Sequence, residues 1–192
     1  MVVVEGSDSP MEEYEVIYLD PPWDYYGDPN KMGAAGKEYN LMTGEELADL
    51  KIPLAKPGVV FMWATGPKLD VAMDLIKAWG LHYRGIAFVW VKTRKDGVPI
   101  KAQGVRPSVV KPLTELVLVA STEKLGRPLP LASEKVIQTV FAPRREHSRK
   151  PDEVRERIEA LYPTARKLEM FARTKVDGWD VHGDQTDLFE QD

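Results

Sequence analysis

Short apolar runs alternate along the chain with segments whose apolar residues recur every three or four positions. Tyr14–Leu19 (YEVIYL) reads as a buried strand, and so do residues 58–64 (GVVFMWA), 84–91 (RGIAFVWV), 113–120 (LTELVLVA), 136–140 and 167–172 (KLEMFA). Between the second and third of these, Leu69, Ala72, Met73, Ile76 and Trp79 form one helical face, with Pro67 suited to the first turn and Gly80 to the position just past the end. Thr43-x-x-Glu46 is a capping box that opens a short helix, stopped near Pro53. Pro151-Asp152-Glu153 opens another, with two acids at the positive end of its dipole and a stripe of Val154, Ile158 and Leu161. The alternation predicts one α/β sandwich over residues 14–186 with a mainly parallel sheet, flanked by flexible tails at 1–13 and 187–192. The strand, helix and strand over 58–91 predict a parallel pair joined by a right-handed crossover.

The first strand runs into Asp20-Pro21-Pro22-Trp23. Two prolines give no N–H to a ladder, so the chain must leave the sheet there, and the Asp20 carboxylate falls at the strand's C-terminal edge. Open α/β sheets bind their ligands at that edge. An exocyclic amine on an aromatic ring is a poor nucleophile because its lone pair is delocalised. Acceptors aimed at its N–H bonds favour the pyramidal, reactive form; Asp20 supplies a carboxylate, Pro21 a carbonyl, and Trp23 a flat face for stacking. A charge-assisted hydrogen bond contributes about 1.5–3 kcal/mol and stacking about 1–3 kcal/mol per base. On spacing alone the bland alternative stands equally: the prolines end a strand and Trp23 packs. The 16 residues after Trp23, which include Tyr25, Tyr26 and Tyr39, form a long Gly- and Tyr-rich loop of the kind used as a lid or binding loop.

Composition narrows the field. A net charge of −4 removes a whole-protein basic field, so nucleic acid would have to be met by local basic segments. There are two: 92–112, with Lys92, Arg94, Lys95, Lys101, Arg106 and Lys111 against the single acid Asp96, and 144–150, with Arg144, Arg145, His147, Arg149 and Lys150. Each is either a solvated loop or the wall of a phosphate-tracking groove. The chain has no cysteine, which excludes disulfides and thiolate metal sites and points to a cytoplasmic, intracellular protein. No apolar run approaches the roughly 20 residues of a membrane span, and the N-terminus is acidic rather than signal-like. His82, His147 and His182 lack metal-ligand spacing, and no metal is expected. A P-loop and a GxGxxG turn are both absent.

Asp20–Trp23, FVWVKT at 88–93, KPDEVRERIEAL from Lys150, and KLEMFAR…GWDVHGDQ from Lys167 to Gln185 together resemble the adenine-N6 methyltransferases related to the catalytic subunit of the messenger-RNA methyltransferase complex. The resemblance implies a Rossmann-like sandwich with helices on both faces, the acceptor motif preceding the cofactor motif, and S-adenosylmethionine as methyl donor. It implies that Asp20 and Pro21 receive the amine, with Asp20 also beside the cofactor, and that Pro22 and Trp23 shape the target pocket. Lys150 resembles the lysine that pairs with the cofactor's methionine carboxylate; its place just before a helix start suits an anion. Arg173, Asp184 and Gln185 resemble residues near the ribose, Glu169 a support of that pocket, and Tyr39 a loop tyrosine near the acceptor. Lys92, Arg94, Lys95 and Arg106 are expected to meet the nucleic acid. Asp184 and His182 stand where family members more often carry Asn and Trp. The expected substrate is adenine in DNA, for want of an added RNA-binding module; the alternatives are the same reaction on RNA, or a nucleic-acid-binding subunit without catalysis. A homodimer or a partner subunit would supply target selectivity.

Overall fold

A computed structural model describes residues 13–23, 41–101, 110–145, 149–172 and 174–182. Its centre is a seven-stranded sheet of order β5-β3-β4-β2-β1-β6-β7. The strands are β1 (Tyr14–Leu19), β2 (Leu54–Ala64), β3 (His82–Thr93), β4 (Thr114–Ser121), β5 (Thr139–Pro143), β6 (Lys167–Met170) and β7 (Asp180–His182). β1 pairs in parallel with β2 and β6, β3 with β5, and β6 with β7, while β4 is antiparallel to both β2 and β3. The sheet is therefore mainly parallel, with one reversed strand. This corrects the expected adjacent pair over 58–91: β2 and β3 point the same way, but β4 lies between them.

The period-2 pattern decides which side chains face which layer. Ile17, Leu19, Val60 and Met62 point to one face, where α1 (Gly44–Ala48) contributes Leu47 and α2 (Leu69–Ala78) contributes Ala72, Leu75 and Ile76. Val16, Tyr18, Val59, Phe61 and Trp63 point to the other, where α3 (Asp152–Leu161) contributes Val154 and Ile158. The central strands are apolar on both faces because both are covered. The capping box of α1 forms as the sequence predicts: Glu46 N–H donates to Thr43 Oγ1 at 3.2 Å, and Thr43 N–H to Glu46 Oε2 at 2.8 Å. Gly80 follows α2 in the left-handed region at φ 68°, where a Cβ would cost energy.

Other boundaries differ from expectation for local reasons. The last predicted strand stops at Met170, because Phe171 turns into the left-handed region at φ 59° and its N–H bonds to His182 O instead. β5 starts at Thr139 rather than residue 136. β7 has only three residues and no apolar alternation to announce it. β3 is irregular, its register against β4 shifting between Tyr83 and Gly85 and again between Ile86 and Phe88, with Gly85 at φ 131°. Among the described residues, no helix is long and apolar enough to cross a membrane.

The turn after α3 is closed by a buried cation. Lys167 Nζ donates to the carbonyls of Tyr162, Pro163 and Ala165 at 3.4, 3.2 and 2.8 Å, at the negative end of the helix. Lys167→Met keeps the stem and strands these carbonyls. It is expected to cost about 2 kcal/mol, read as a lower urea midpoint at unchanged slope.

Candidate active site

Every strand but β4 presents its C-terminal end to one edge of the sheet, and β4, being reversed, presents its beginning there. Asp20 therefore arrives at the end of β1, Lys92 near the end of β3 and Glu115 at the start of β4. Lys150 arrives in the link from β5 to α3, and Glu169 from β6. These are distant in sequence and adjacent in space. Asp20, Lys150 and Glu169 border an open cleft, lined also by Tyr18, Arg155 and Phe171 and by the start of α3, with Glu115 and Lys92 reaching it through Lys150.

The Asp-Pro-Pro-Trp turn is fixed by its own backbone. Trp23 N–H donates to Pro21 O at 2.8 Å, and Met42 N–H donates to Pro22 O at 2.9 Å. A carbonyl has two lone pairs, so Pro21 keeps one acceptor site beyond the turn. Trp23 does not offer the stacking face expected of it. The residue is 6% exposed and belongs to the core layer that contains Leu47 and Met170.

Asp20 heads an alternating row of charges. Its Oδ2 lies 3.3 Å from Lys150 Nζ, which lies 2.8 Å from Glu115 Oε2; the other oxygen of Glu115 takes Lys92 Nζ at 2.5 Å. Beneath the row lie Trp63 and Trp90, edge to face at 6.0 Å, with Lys150 Nζ 5.2 Å from the first ring and Lys92 Nζ 5.1 Å from the second. Burial alone would push the Glu115 carboxyl up, but the ammoniums of Lys150 and Lys92 outweigh it and hold the pKa at about 2. Burial likewise opposes the charge on Lys150, yet Asp20 and Glu115 more than offset it and its pKa is raised.

A second group forms the far wall. Arg155 grips Glu169 with two nitrogens, at 2.9 and 3.2 Å, and reaches Asp152 at 3.5 Å. Burial raises the Glu169 pKa, Arg155 opposes, and Asp20 and Asp152 add to the rise. Arg145 and Arg149 face Asp152 at 2.6 and 3.9 Å. Tyr18 accepts a hydrogen bond from Trp63 Nε1 at 2.6 Å, and its buried phenol is raised in pKa, first by burial and then by Glu169, so it stays neutral.

The structure brings Asp20, Lys150 and Glu169 to one cleft, with Pro21 and Pro22 in the turn that follows Asp20. It separates the three described basic residues expected to meet nucleic acid: Lys92 is committed to Glu115 beside the cleft, Arg94 pairs with Asp96 on the surface at 2.6 Å, and Lys95 is exposed. Tyr39, Arg106, His147, Arg173, Asp184 and Gln185 lie outside the described residues. Among the described residues no His, Cys, Asp or Glu group could hold a metal. Sequence reasoning missed Glu115, Arg155, Tyr18 and Phe171. A signal existed for Glu115, a lone charge inside the apolar run LTELVLVA, and for the others there was none.

A doubly covered sheet with its charged cleft at the strands' carboxyl edge and one reversed strand is the architecture of a Rossmann-like methyltransferase. The model of the MT-A70 family matches residues 14–185, and the chain belongs to that family. It is 33% identical to the type II methyltransferase M.MunI of Mycoplasma sp over 194 residues, covering 91% of this chain and 78% of that protein. It is 30% identical to a probable N(6)-adenosine-methyltransferase MT-A70-like of Oryza sativa subsp. japonica, covering 90% of this chain and 23% of that one. Against the N(6)-adenosine-methyltransferase catalytic subunit METTL3 of Homo sapiens it is 29% identical, covering 91% and 28%. The chain therefore spans most of the length of M.MunI and about a quarter of the rice and human relatives.

Proposed function

We propose that this protein transfers a methyl group from S-adenosylmethionine to the exocyclic N6 amine of adenine in DNA. The observation that carries the reading is Asp20, an aspartate held at the sheet's binding edge by a turn that two backbone hydrogen bonds fix, with a lysine 3.3 Å away. The cleft suits the donor, an amino-acid end joined to a sulfonium. It has acids for the cationic groups, and Lys150 and the N-terminus of α3 for the carboxylate. Lys150 Nζ has three hydrogens, and two carboxylates take two of them. Glu169, braced by Arg155, lines the same space; Arg173, Asp184 and Gln185 are proposed for the ribose and Tyr39 for the acceptor side.

When bound, S-adenosylmethionine supplies a methyl group on a sulfonium, already activated for in-line attack. The work left to this chain is to prepare the amine. Asp20 accepts one N–H bond and the free lone pair of Pro21 O the other, which draws the amine out of conjugation and turns its lone pair toward the methyl group. A carboxylate at that position also takes up the proton the amine gives off. An adenine in a duplex must first leave its stack. Arg94, Lys95 and Arg106 are proposed to follow the phosphates, and a second copy or a partner subunit to add target selectivity.

DNA is preferred because M.MunI, a type II methyltransferase, is matched over most of its length and the rice and human relatives over about a quarter of theirs. The same reaction on RNA is the second reading, favoured by the N(6)-adenosine-methyltransferases of rice and human. The test is transfer of labelled methyl to matched DNA and RNA oligomers containing adenine. We expect label in DNA, at N6. Label in RNA alone would replace the substrate, and cofactor binding without transfer to either would leave a binding subunit.

A further inference from the structure

We propose that Glu115 is a positioning residue: it shares the Lys150 ammonium with Asp20 at the cleft, so that Lys150 is not given wholly to Asp20 and both groups stay able to receive ligands. The inference rests on the roles given above to Asp20 and Lys150 and adds a residue to them.

Lys150 has two carboxylates to choose between, and the geometry favours Glu115. That contact is 2.8 Å against 3.3 Å, and the Glu115 side chain is 14% exposed against 27% for Asp20. An ion pair with the less hydrated partner is less screened and holds more firmly. Glu115 does not hold Lys150 alone. Each of its oxygens takes a different ammonium, so Lys92 balances part of its charge and Lys150 keeps positive potential toward the cleft. The Trp63 and Trp90 rings close the space beneath. The groups facing Lys150 are Asp20 from the end of β1 and Glu115 from β4, with Lys92 of β3 behind Glu115. With Glu115 neutral, the one counter-charge left to Lys150 among these is Asp20. The ammonium would swing to it and cover the acceptor. Asp20 alone would then offset the burial that opposes the Lys150 charge.

Glu115→Gln keeps the shape and removes the charge. Its folding is checked by urea unfolding. S-adenosylmethionine is then titrated calorimetrically between about pH 6 and about pH 10, and single-turnover methyl transfer to an adenine-containing oligomer is followed at saturating cofactor. We expect affinity for S-adenosylmethionine to fall by about tenfold or more. We also expect an alkaline fall in affinity steeper than the one the donor's own α-amino group gives the wild type, because Lys150 now loses its proton more readily. Transfer should remain slow at saturating cofactor. Glu115→Asp should restore the wild-type pH profile.

Affinity within about twofold of wild type and an alkaline fall no steeper than the wild type's would overturn the proposal. Should Glu115→Gln fail to fold, Lys92→Met gives the same decision: it gives Glu115 wholly to Lys150 and should weaken cofactor binding without a steeper alkaline fall, and unchanged affinity overturns the idea. A wild type that binds S-adenosylmethionine but methylates no oligomer would defeat the proposed reaction, while the calorimetry would still decide the role of Glu115. A wild type that does not bind it would defeat both.

Discussion

Asp20→Asn should stop methyl transfer while the protein stays folded. The side chain stands at the rim of the sheet, not in either core layer, and the turn behind it is held by backbone bonds that the substitution leaves alone. The amide has nearly the same shape. What goes is a full negative charge aimed at the developing positive charge on the amine, and half of the new side-chain head is a donor that meets the amine's own donors. Loss of one such preorganised group costs about 10²–10³ in rate. In single turnover with labelled cofactor we expect a fall in that range, with the melting temperature within about 2 °C of wild type, as for a partly exposed polar exchange. A variant keeping more than about a tenth of the rate would remove Asp20 from the reaction.

Lys150→Met should cost more stability than any other change at the site. It leaves Asp20 and Glu115 without the cation they share, on a floor of two tryptophans. Breaking a buried pair by removing one partner costs about 3–5 kcal/mol. Here Lys92 remains on Glu115, so we expect about 3 kcal/mol at neutral pH. The pH dependence has a definite sign. The Glu115 carboxyl sits at about 2 in the folded protein, below its ordinary 4.5. Its stabilisation is complete above about 4.5 and is lost as pH falls through about 2. The raised Lys150 contributes stability that is complete below its ordinary 10.5 and is lost only on stronger alkalinisation. The gap between wild type and Lys150→Met should therefore be level from about pH 5 to about pH 10 and shrink on acidification toward pH 2. Urea unfolding across that range checks it; a gap unchanged at low pH would show that Glu115 is not the carboxylate at stake. Loss of measurable S-adenosylmethionine binding is expected alongside.

Much of this protein was legible in its sequence because its signals are local. Continuous apolar runs marked strands covered on both faces, Thr43 and Glu46 marked a helix start, and two prolines marked where β1 ends. The direction of β4 was not legible, because an antiparallel and a parallel central strand bury the same side chains. Lys150 could be picked out from its motif, but Glu115 could not be tied to it: the pair is 35 residues apart, joined only when the reversed strand brings its first residues to the shared edge. The Trp23 reading failed for a related reason. A tryptophan beside a binding turn looks alike in sequence whether it faces the ligand or the core, and in the fold Trp23 is buried in the core layer with Leu47 and Met170.

The irregular pairing of β3 has a consequence at the opposite end of that strand. Two shifts, at Tyr83/Gly85 and Ile86/Phe88, set which residue of β4 stands opposite Trp90, and that residue is Glu115. Because side chains alternate, a slip of β3 by a single position would set Val89 or Val91 opposite Glu115 and turn Trp90 and Lys92 to the other layer. A one-residue insertion or deletion among residues 82–88, in a stretch that touches no proposed ligand, would thus act as an electrostatic mutation. The spelling of that remote stretch is part of the enzyme's chemistry.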